Sequence, residues 1–205
     1  MYEIEVKVPA DLPQVRDRLT SIGVSTAEEV TQVDTYFDPP HRSFAETDEA
    51  LRVRRERRSG DVHVRVTYKG PLLEAESKSR AEFETTVGDG DTLETIFERL
   101  GFDAVETVRK TRTRYRVDGY TVSLDEVAGA GTFVEVEREV DLEESESAET
   151  AGDAGSDEGG PEERISREVA SVREGAFDVL RRIDLDPDDQ IRTSYLELIL
   201  QSNER

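Results

Sequence analysis

Apolar and polar residues alternate along most of this chain with a period of two, the pattern of strands that bury one face. The first run sets Tyr2, Ile4, Val6 and Val8 opposite Glu3, Glu5 and Lys7. A less regular run, Gln32–Asp38, has Val33 and Phe37 opposite Asp34 and Asp38. Leu51 and Val53 then alternate with Arg52 and Arg54, and Val64, Val66 and Tyr68 with His63, Arg65, Thr67 and Lys69. Arg80, Glu82 and Glu84 face away from Ala81 and Phe83, and Lys110, Arg112, Arg114 and Arg116 away from Tyr115 and Val117. Two further runs oppose Val122 and Leu124 to Ser123 and Asp125, and Val134 and Val136 to Glu135 and Glu137. Asp118-Gly119 predicts a hairpin turn, and Gly60-Asp61 a similar one. Gly129-Ala130-Gly131 reads as a turn between strands, because no helix follows it.

A helical period occupies the gaps. Leu12, Val15, Leu19 and Ile22 predict one helix, and Leu93, Ile96, Phe97 and Leu100, stopped by Gly101, predict another over 92–100. Ile165, Val169, Val172, Phe177, Leu180 and Ile183 trace a longer helix, and a last one covers 194–201. Eight strands joined mostly by short turns, with four helices, predict an α+β fold: a large antiparallel sheet, closed or nearly closed into a β-barrel, with helices packed outside. The 205 residues are read as a single domain.

One segment breaks the pattern. Residues 141–164 hold ten acidic residues and one Arg, with Leu142 as the only large apolar side chain. Such a stretch buries too little surface to offset its ordering entropy and is expected to be a disordered insertion. Long surface insertions cost little, so it reads as a tolerated loop.

Charge narrows the class. The net charge is −21, with only four Lys among 27 basic residues, which suggests a halophilic protein that stays soluble at high salt. It also argues against a nucleic-acid partner, since such binding wants a basic footprint. No apolar stretch approaches the roughly 20 residues of a membrane span, and the N-terminus does not resemble a signal peptide, so a cytoplasmic protein is expected. With no Cys and only His41 and His63, thiol chemistry and a Cys- or His-rich metal site are excluded. His41, in a loop after two prolines, reads as a solvent residue, and His63 shares a face with Arg65 and Lys69 near a barrel mouth.

The charged faces are the candidate chemistry. Residues i and i+2 of a strand share one face. Carboxylates collect on the first strand (Glu3, Glu5) and the last two (Asp125, Glu135, Glu137), whereas Arg52, Arg54, Arg65, Lys69, Arg80, Lys110, Arg112 and Arg114 occupy the strands between. If helices cover the apolar outside, these charges line an interior, where they must be paired, hydrated or bound to counter-ions. A metal–polyphosphate complex satisfies both sets: Mg2+ or Mn2+ on carboxylate oxygens, and phosphates on Arg forks and Lys points. The alternative is an open sheet face carrying cross-strand ion pairs, each worth little. Sorting by sign tilts against it, because cross-strand pairing intermixes signs.

The Glu3-Ile4-Glu5-Val6-Lys7 run resembles the ExExK opening of the CYTH (triphosphate tunnel metalloenzyme) superfamily. In the expected order follow Gln32-Val33-Asp34-Thr35-Tyr36-Phe37-Asp38, Leu51-Arg52-Val53-Arg54, Tyr68-Lys69-Gly70, Arg80-Ala81-Glu82, Lys110-Thr111-Arg112, Leu124-Asp125 and Phe133-Val134-Glu135-Val136-Glu137. The closing Ser194-Tyr195-Leu196-Glu197-Leu198 is similar to the class IV adenylate cyclase-like branch. The resemblance implies an eight-stranded barrel around a hydrophilic tunnel, with divalent metal on Glu3, Glu5, Asp125, Glu135 and Glu137. It also implies phosphates on Lys7, Arg52, Arg54, Lys69, Arg80, Lys110 and Arg112. Arg114 shares the face of Arg112, and Arg192, just before the last helix, is a candidate to close over the phosphates. Glu82 is the carboxylate that could order a water, and with Lys69 it forms the candidate catalytic pair.

The resemblance implies either cyclisation of ATP to cyclic AMP and pyrophosphate or hydrolysis of tripolyphosphate, a nucleoside triphosphate or thiamine triphosphate. A module that binds polyphosphate or nucleotide without turnover stays open beside them. The small-molecule triphosphate is the expected partner, with no nucleic acid and no membrane, and the protein is a monomer or a homodimer.

Overall fold

In a computed structural model, residues 2–26, 28–73, 78–140 and 161–203 are described. The eight strands are β1 (Tyr2–Pro9), β2 (Glu28–Asp38), β3 (Ala50–Arg58), β4 (Asp61–Leu72), β5 (Lys78–Val87), β6 (Asp103–Val117), β7 (Tyr120–Val127) and β8 (Gly131–Val140). They close into an antiparallel barrel in the order β1-β5-β4-β3-β2-β6-β7-β8. The helices are α1 (Leu12–Ser21), α2 (Phe44–Thr47), α3 (Gly90–Arg99), α4 (Pro161–Arg182) and α5 (Tyr195–Asn203). The four-residue α2 is too short to show a period and was not expected from the sequence. No helix among the described residues is long and apolar enough to cross a membrane.

Local chemistry sets the element ends. Asp11 caps α1 by accepting from the Gln14 N–H at 3.1 Å, and Asp89 caps α3 through the Thr92 N–H at 3.0 Å. The β6–β7 hairpin turns on Asp118 (φ 51°) and Gly119 (φ 84°), as expected. The β3–β4 turn is Ser59 (φ 49°) and Gly60 (φ 101°), one residue before the pair that the sequence suggested, and Asp61 already begins β4. Both central residues of this turn need positive φ, and Ser59 is held there by the ladder that pairs Arg58 with Asp61. Helix α4 starts at Pro161, so residues 161–164, expected within the acidic insertion, are its first turn. A Pro-Glu-Glu start suits a helix N-terminus. Residues 141–160 of that segment lie outside the described residues.

The molecule is built inside out. Its main apolar core lies between the outer face of β1 and β6–β8 and the helices α1 and α4. There Ile4, Val6, Val122, Leu124 and Val136 meet Leu12, Val15 and Leu19 on one side and Val169, Val179, Leu180 and Ile183 on the other. A smaller cluster of Val108, Val127, Phe133, Tyr195 and Ile199 lies under α5 at one end of the barrel. The inner face is charged: Lys7, Asp34, Arg52, Arg54, Glu56, Arg80, Lys110, Arg112, Asp125 and Glu135 are all buried.

Among the described residues, the β1–β5 ladder runs from Tyr2 to Glu5, whereas β1 pairs with β8 along its whole length. Further along β1, the Lys7 carbonyl accepts from the Ile191 N–H at 2.8 Å, which fastens the segment leading into α5.

Helix α4 passes close to β7 at Gly175. A Cβ there would lie 2.0 Å from the Tyr120 hydroxyl, which donates to the Val172 carbonyl at 2.9 Å. An exposed helical Gly→Ala exchange stabilises a protein; at this position Gly175→Ala is expected to destabilise it by about 1–3 kcal/mol through overpacking. The midpoint of urea unfolding, compared with that of the parent, checks the sign.

Candidate active site

The barrel holds a cavity of about 220 Å3, lined by inward residues of β1–β6 and β8 and by residues of α2 and α5. A single water needs only about 10–15 Å3 of such space, so the cavity accommodates a polar ligand of many atoms. Strand parity delivers the lining as the sequence suggested: Lys7, Arg52, Arg54, Lys69, Arg80, Lys110, Arg112 and Arg114 all reach it, as do Glu3, Glu5, Glu82, Glu135 and Glu137. Two expected residues do not. Arg192 is exposed and stands outside the lining. Asp125 is fully buried behind Arg112, whose guanidinium Nε donates to it at 2.7 Å, and the Tyr195 hydroxyl donates to its other oxygen at 2.9 Å. His63 is likewise exposed and outside the lining.

The five expected metal carboxylates therefore divide. Glu3, Glu5 and Glu137 converge, each offering an oxygen within 4.8 Å of the others. Glu135 turns to the basic side, hydrogen-bonded by Arg112 and 3.8 Å from Lys7. The electrostatics follow that division. Burial, together with repulsion from Glu3, Glu135 and Glu5, pushes the Glu137 pKa up to about 7 against the pull of Arg112. Burial would also raise that of Glu135, but Arg112, Lys110 and Lys7 hold it well below the usual carboxylate range.

The basic wall carries its own buried acids. Arg54 holds Asp34 with a two-pronged contact at 2.7 and 2.6 Å, and Arg52 lies 3.8 Å from the same carboxylate. Despite burial, these guanidinium groups keep the Asp34 pKa far below normal. Towards the β3–β4 turn, Glu56 receives Gln32 at 2.6 Å and Arg114 at 2.8 Å, and Arg65 bridges Glu56 (3.2 Å) and Glu84 (2.9 Å). This ion-paired layer spans β2, β3, β4, β5 and β6. Signs are thus mixed on the middle strands rather than sorted. A strand-by-strand view hid both: Asp34 lies on a strand without bases, so nothing in its run names a partner, and Glu56 is a lone acid among the arginines of β3.

Lys69 is gripped by Glu3 and by Glu82, the latter at 2.8 Å. Burial disfavours its charge, yet Glu3 and Glu82 raise its pKa, so it stays an ammonium ion. Glu82 stays ionised because Lys69 and Arg52 outweigh its burial. Lys110 behaves oppositely: burial next to Arg112 lowers its pKa to about 8.

Three further lining residues were given no role at the site from the sequence. The Tyr195 ring has the Lys7 ammonium 4.3 Å and the Lys110 ammonium 4.8 Å from its centroid. Lys78, at the first position of β5, lies 3.9 Å from both Asp48 and Glu197. Asp48, in the left-handed conformation at φ 52° after α2, accepts from Arg80 through its backbone carbonyl (2.6 Å) and its carboxylate (3.2 Å). One signal could have found Lys78: all four lysines of the chain, Lys7, Lys69, Lys78 and Lys110, line this cavity.

Comparison with known proteins agrees with the fold. A Methanocaldococcus jannaschii protein, provisionally named an adenylate cyclase, is 34% identical over 200 residues, covering 97% of this chain and 98% of the relative. The solved structure of a Pyrococcus horikoshii OT3 protein superposes with a TM-score of 0.78 at 33% identity, covering 99% of each chain. A Hippeastrum protein shares the fold at 17% identity and a TM-score of 0.60, over 98% of this chain and 95% of that one. It is provisionally named an adenylyl cyclase and is described as having a dominant triphosphatase activity. Residues 1–195 match the CYTH domain, and with a relative alike over nearly the full length of both chains, this chain belongs to the CYTH domain family.

Proposed function

We propose that this protein is a divalent-metal-dependent enzyme acting on triphosphate compounds, an adenylate cyclase-like catalyst that converts ATP to cyclic AMP and pyrophosphate. The observation that carries the reading is one cavity with two chemically distinct walls: the convergent carboxylates of Glu3, Glu5 and Glu137, and a basic wall that includes every lysine of the chain. The basic groups alone do not neutralise a polyanion, since ten cationic side chains line the cavity beside eleven acidic ones. A triphosphate is accommodated when it enters with a cation that takes up the carboxylates.

The donor set fits Mg2+ or Mn2+, which prefer oxygen ligands, and the crowding that raises Glu137 is what a bound cation relieves. Glu3, Glu5 and Glu137 would hold it, and when bound it supplies charge neutralisation at the phosphoryl oxygens. Arg52, Arg54, Arg112, Lys7 and Lys110 bind the phosphate oxygens. Arg52 Nε is buried and has no hydrogen-bond partner among the described residues, as suits a group that awaits a ligand. Asp125 and Asp34 act one step back, fixing the planes of Arg112 and Arg54. Lys69 remains charged and serves as an electrostatic group, whereas ionised Glu82 is the acceptor suited to the proton of the attacking hydroxyl.

The cyclase form is favoured by the archaeal relative provisionally named an adenylate cyclase. Hydrolysis, with water in place of the ribose hydroxyl, is the second reading, because the Hippeastrum protein shows that this fold accommodates triphosphatase activity. A soluble enzyme of the cytoplasm remains our reading of its location.

Incubation with Mg2+ or Mn2+ in molar KCl, separately with ATP and tripolyphosphate, separates the readings by their products. Cyclic AMP with pyrophosphate is the expected result, orthophosphate release marks the triphosphatase, and metal-dependent binding without turnover leaves a binding module. Glu137→Gln is expected to weaken Mg2+ or Mn2+ affinity by at least about tenfold, read by calorimetry. The pH dependence has a definite sign. Glu137 holds its proton below about pH 7, so the cation must displace it there, and affinity falls as pH drops through 7. Calorimetry in buffers of different ionisation enthalpy should show about one proton released per cation at pH 6 and about a tenth of that at pH 8.

A further inference from the structure

The barrel interior changes character one step beyond the arginines assigned to phosphate. Strands β3 and β6 both pair antiparallel with β2 and therefore run the same way. Each starts near a helix that lines the cavity: β3 follows α2, and the Asn203 amide of α5 donates to Glu106 early in β6 at 3.1 Å. Going away from those helices, the inward residues are Arg52, Arg54 and Glu56 on β3, and Lys110, Arg112 and Arg114 on β6. One such step is roughly 7 Å of strand. At the Glu56 step the guanidinium groups are committed on both prongs. Arg114 donates to Glu28 at 2.9 Å and to Glu56 at 2.8 Å, and Arg65 lies 2.9 Å from Glu84 and 3.2 Å from Glu56. Gln32 adds a bond to Glu56 at 2.6 Å, Thr67 adds one to Glu84 at 2.8 Å, and Arg58 joins Glu28 from the exposed side. Three carboxylates thus balance three guanidinium groups with no ligand present. Arg65, Glu84 and Arg114 face the cavity, and Glu56, 3% exposed, is buried behind them. Burial would raise the Glu56 pKa, yet hydrogen bonds from Arg114 and Gln32 bring it down to about 2, so its charge is permanent in neutral solution. An anion that reaches this layer meets the Glu84 carboxylate. It obtains a guanidinium only by leaving Glu56 buried without its partner, which is unfavourable.

We infer that Glu56, by holding Arg65 and Arg114, ends the run of phosphate-binding groups at Arg54 and Arg112, so that the protein selects triphosphates over tetraphosphates and longer polyphosphate chains. The inference rests on the triphosphate reading above and adds a limit of length to it. Glu56 is a specificity-determining residue that acts through the two arginines rather than by touching the ligand. Attraction to a basic wall alone favours the longer chain, which carries more negative charge, so a preference for the shorter chain is the mark of a stop.

Calorimetric titration of the full chain in saturating Mg2+, with tripolyphosphate and tetrapolyphosphate as the two probes, tests the limit. The parent is expected to bind tripolyphosphate at least about tenfold more tightly, and affinities within about twofold of each other overturn the inference. Glu56→Gln keeps the shape but removes the charge, leaving Arg65 and Arg114 for a further phosphate, and is expected to reduce the preference on the order of tenfold. A preference within about twofold of the parent's, in a variant shown by thermal melts to be folded, overturns it. Glu98→Gln, exposed on α3, changes the net charge equally and is expected to leave the preference unchanged; an equal fall there also overturns it. If Glu56→Gln does not fold, Glu84→Gln releases Arg65 alone: a fall of at least about threefold supports the limit, and an unchanged preference removes it. Binding without turnover defeats the catalytic reading, while the two Kd values still decide the limit. If the parent binds ATP but neither polyphosphate, ATP and adenosine tetraphosphate give the same ratio with the same thresholds. A parent that binds none of the four compounds overturns both readings.

Discussion

Every charged side chain inside the barrel must be matched, because an unpaired buried charge costs several kcal/mol and no nearby water bulk offsets it. The arrangement of the interior follows from that constraint. Arg112 is held by Asp125 and Glu135, and Arg54 by Asp34. Glu56 gathers Gln32, Arg65 and Arg114. These pairs do not drive folding, since buried ion pairs rarely beat apolar residues of similar volume. Stability comes from the apolar layer outside the barrel, between β1, β6–β8 and the helices α1 and α4. Separating the two tasks leaves the inner face available for chemistry.

The distribution of lysine supports this division. A chain with 27 basic residues uses Lys only four times, and each of the four faces the cavity. Elsewhere arginine serves. Arg forks suit fixed, two-pronged contacts, as in Arg54 with Asp34, whereas the compact ammonium suits short contacts to oxygens from varied directions. Within the cavity the four differ: Lys69 is locked charged between Glu3 and Glu82, while Lys110 is lowered by burial and by its cationic neighbours. One residue type thus covers two electrostatic roles because its surroundings differ.

Helix α5 ties the far end of the chain to the site. Tyr195 reaches Asp125 across the barrel end and lies against both Lys7 and Lys110, and its burial and the nearby Glu135 and Asp125 keep its hydroxyl protonated and donating. The same helix supplies apolar residues and Glu197 to the mouth. Beyond Glu5, which pairs with the first residue of β5, the Lys7 carbonyl of β1 accepts from the Ile191 N–H of the segment before α5.

The sequence by itself determined which residues are strand residues and which of them share a face, because the two-residue period is local and survives without a structure. On that basis the eight-stranded barrel, the inward set from Glu3 to Glu137 and the ExExK-like opening were legible. The partners were not. Asp34 meets Arg54 only because β2 pairs with β3 in that register, and Asp125 serves Arg112 because β7 pairs with β6 in that register. Asp125 was therefore grouped with Glu3, Glu5 and Glu137 by residue type, whereas ladder register placed it on the basic side. Lys78 continues the face of Arg80 and Glu82, and Tyr195 falls in the expected last helix, but neither position shows its partners; α2 is too short to carry a period, and Arg192 had only its position in the chain to suggest a role. Pairing, closure and the route of α5 over the barrel end depend on contacts between residues far apart in sequence, and tertiary structure alone decides those.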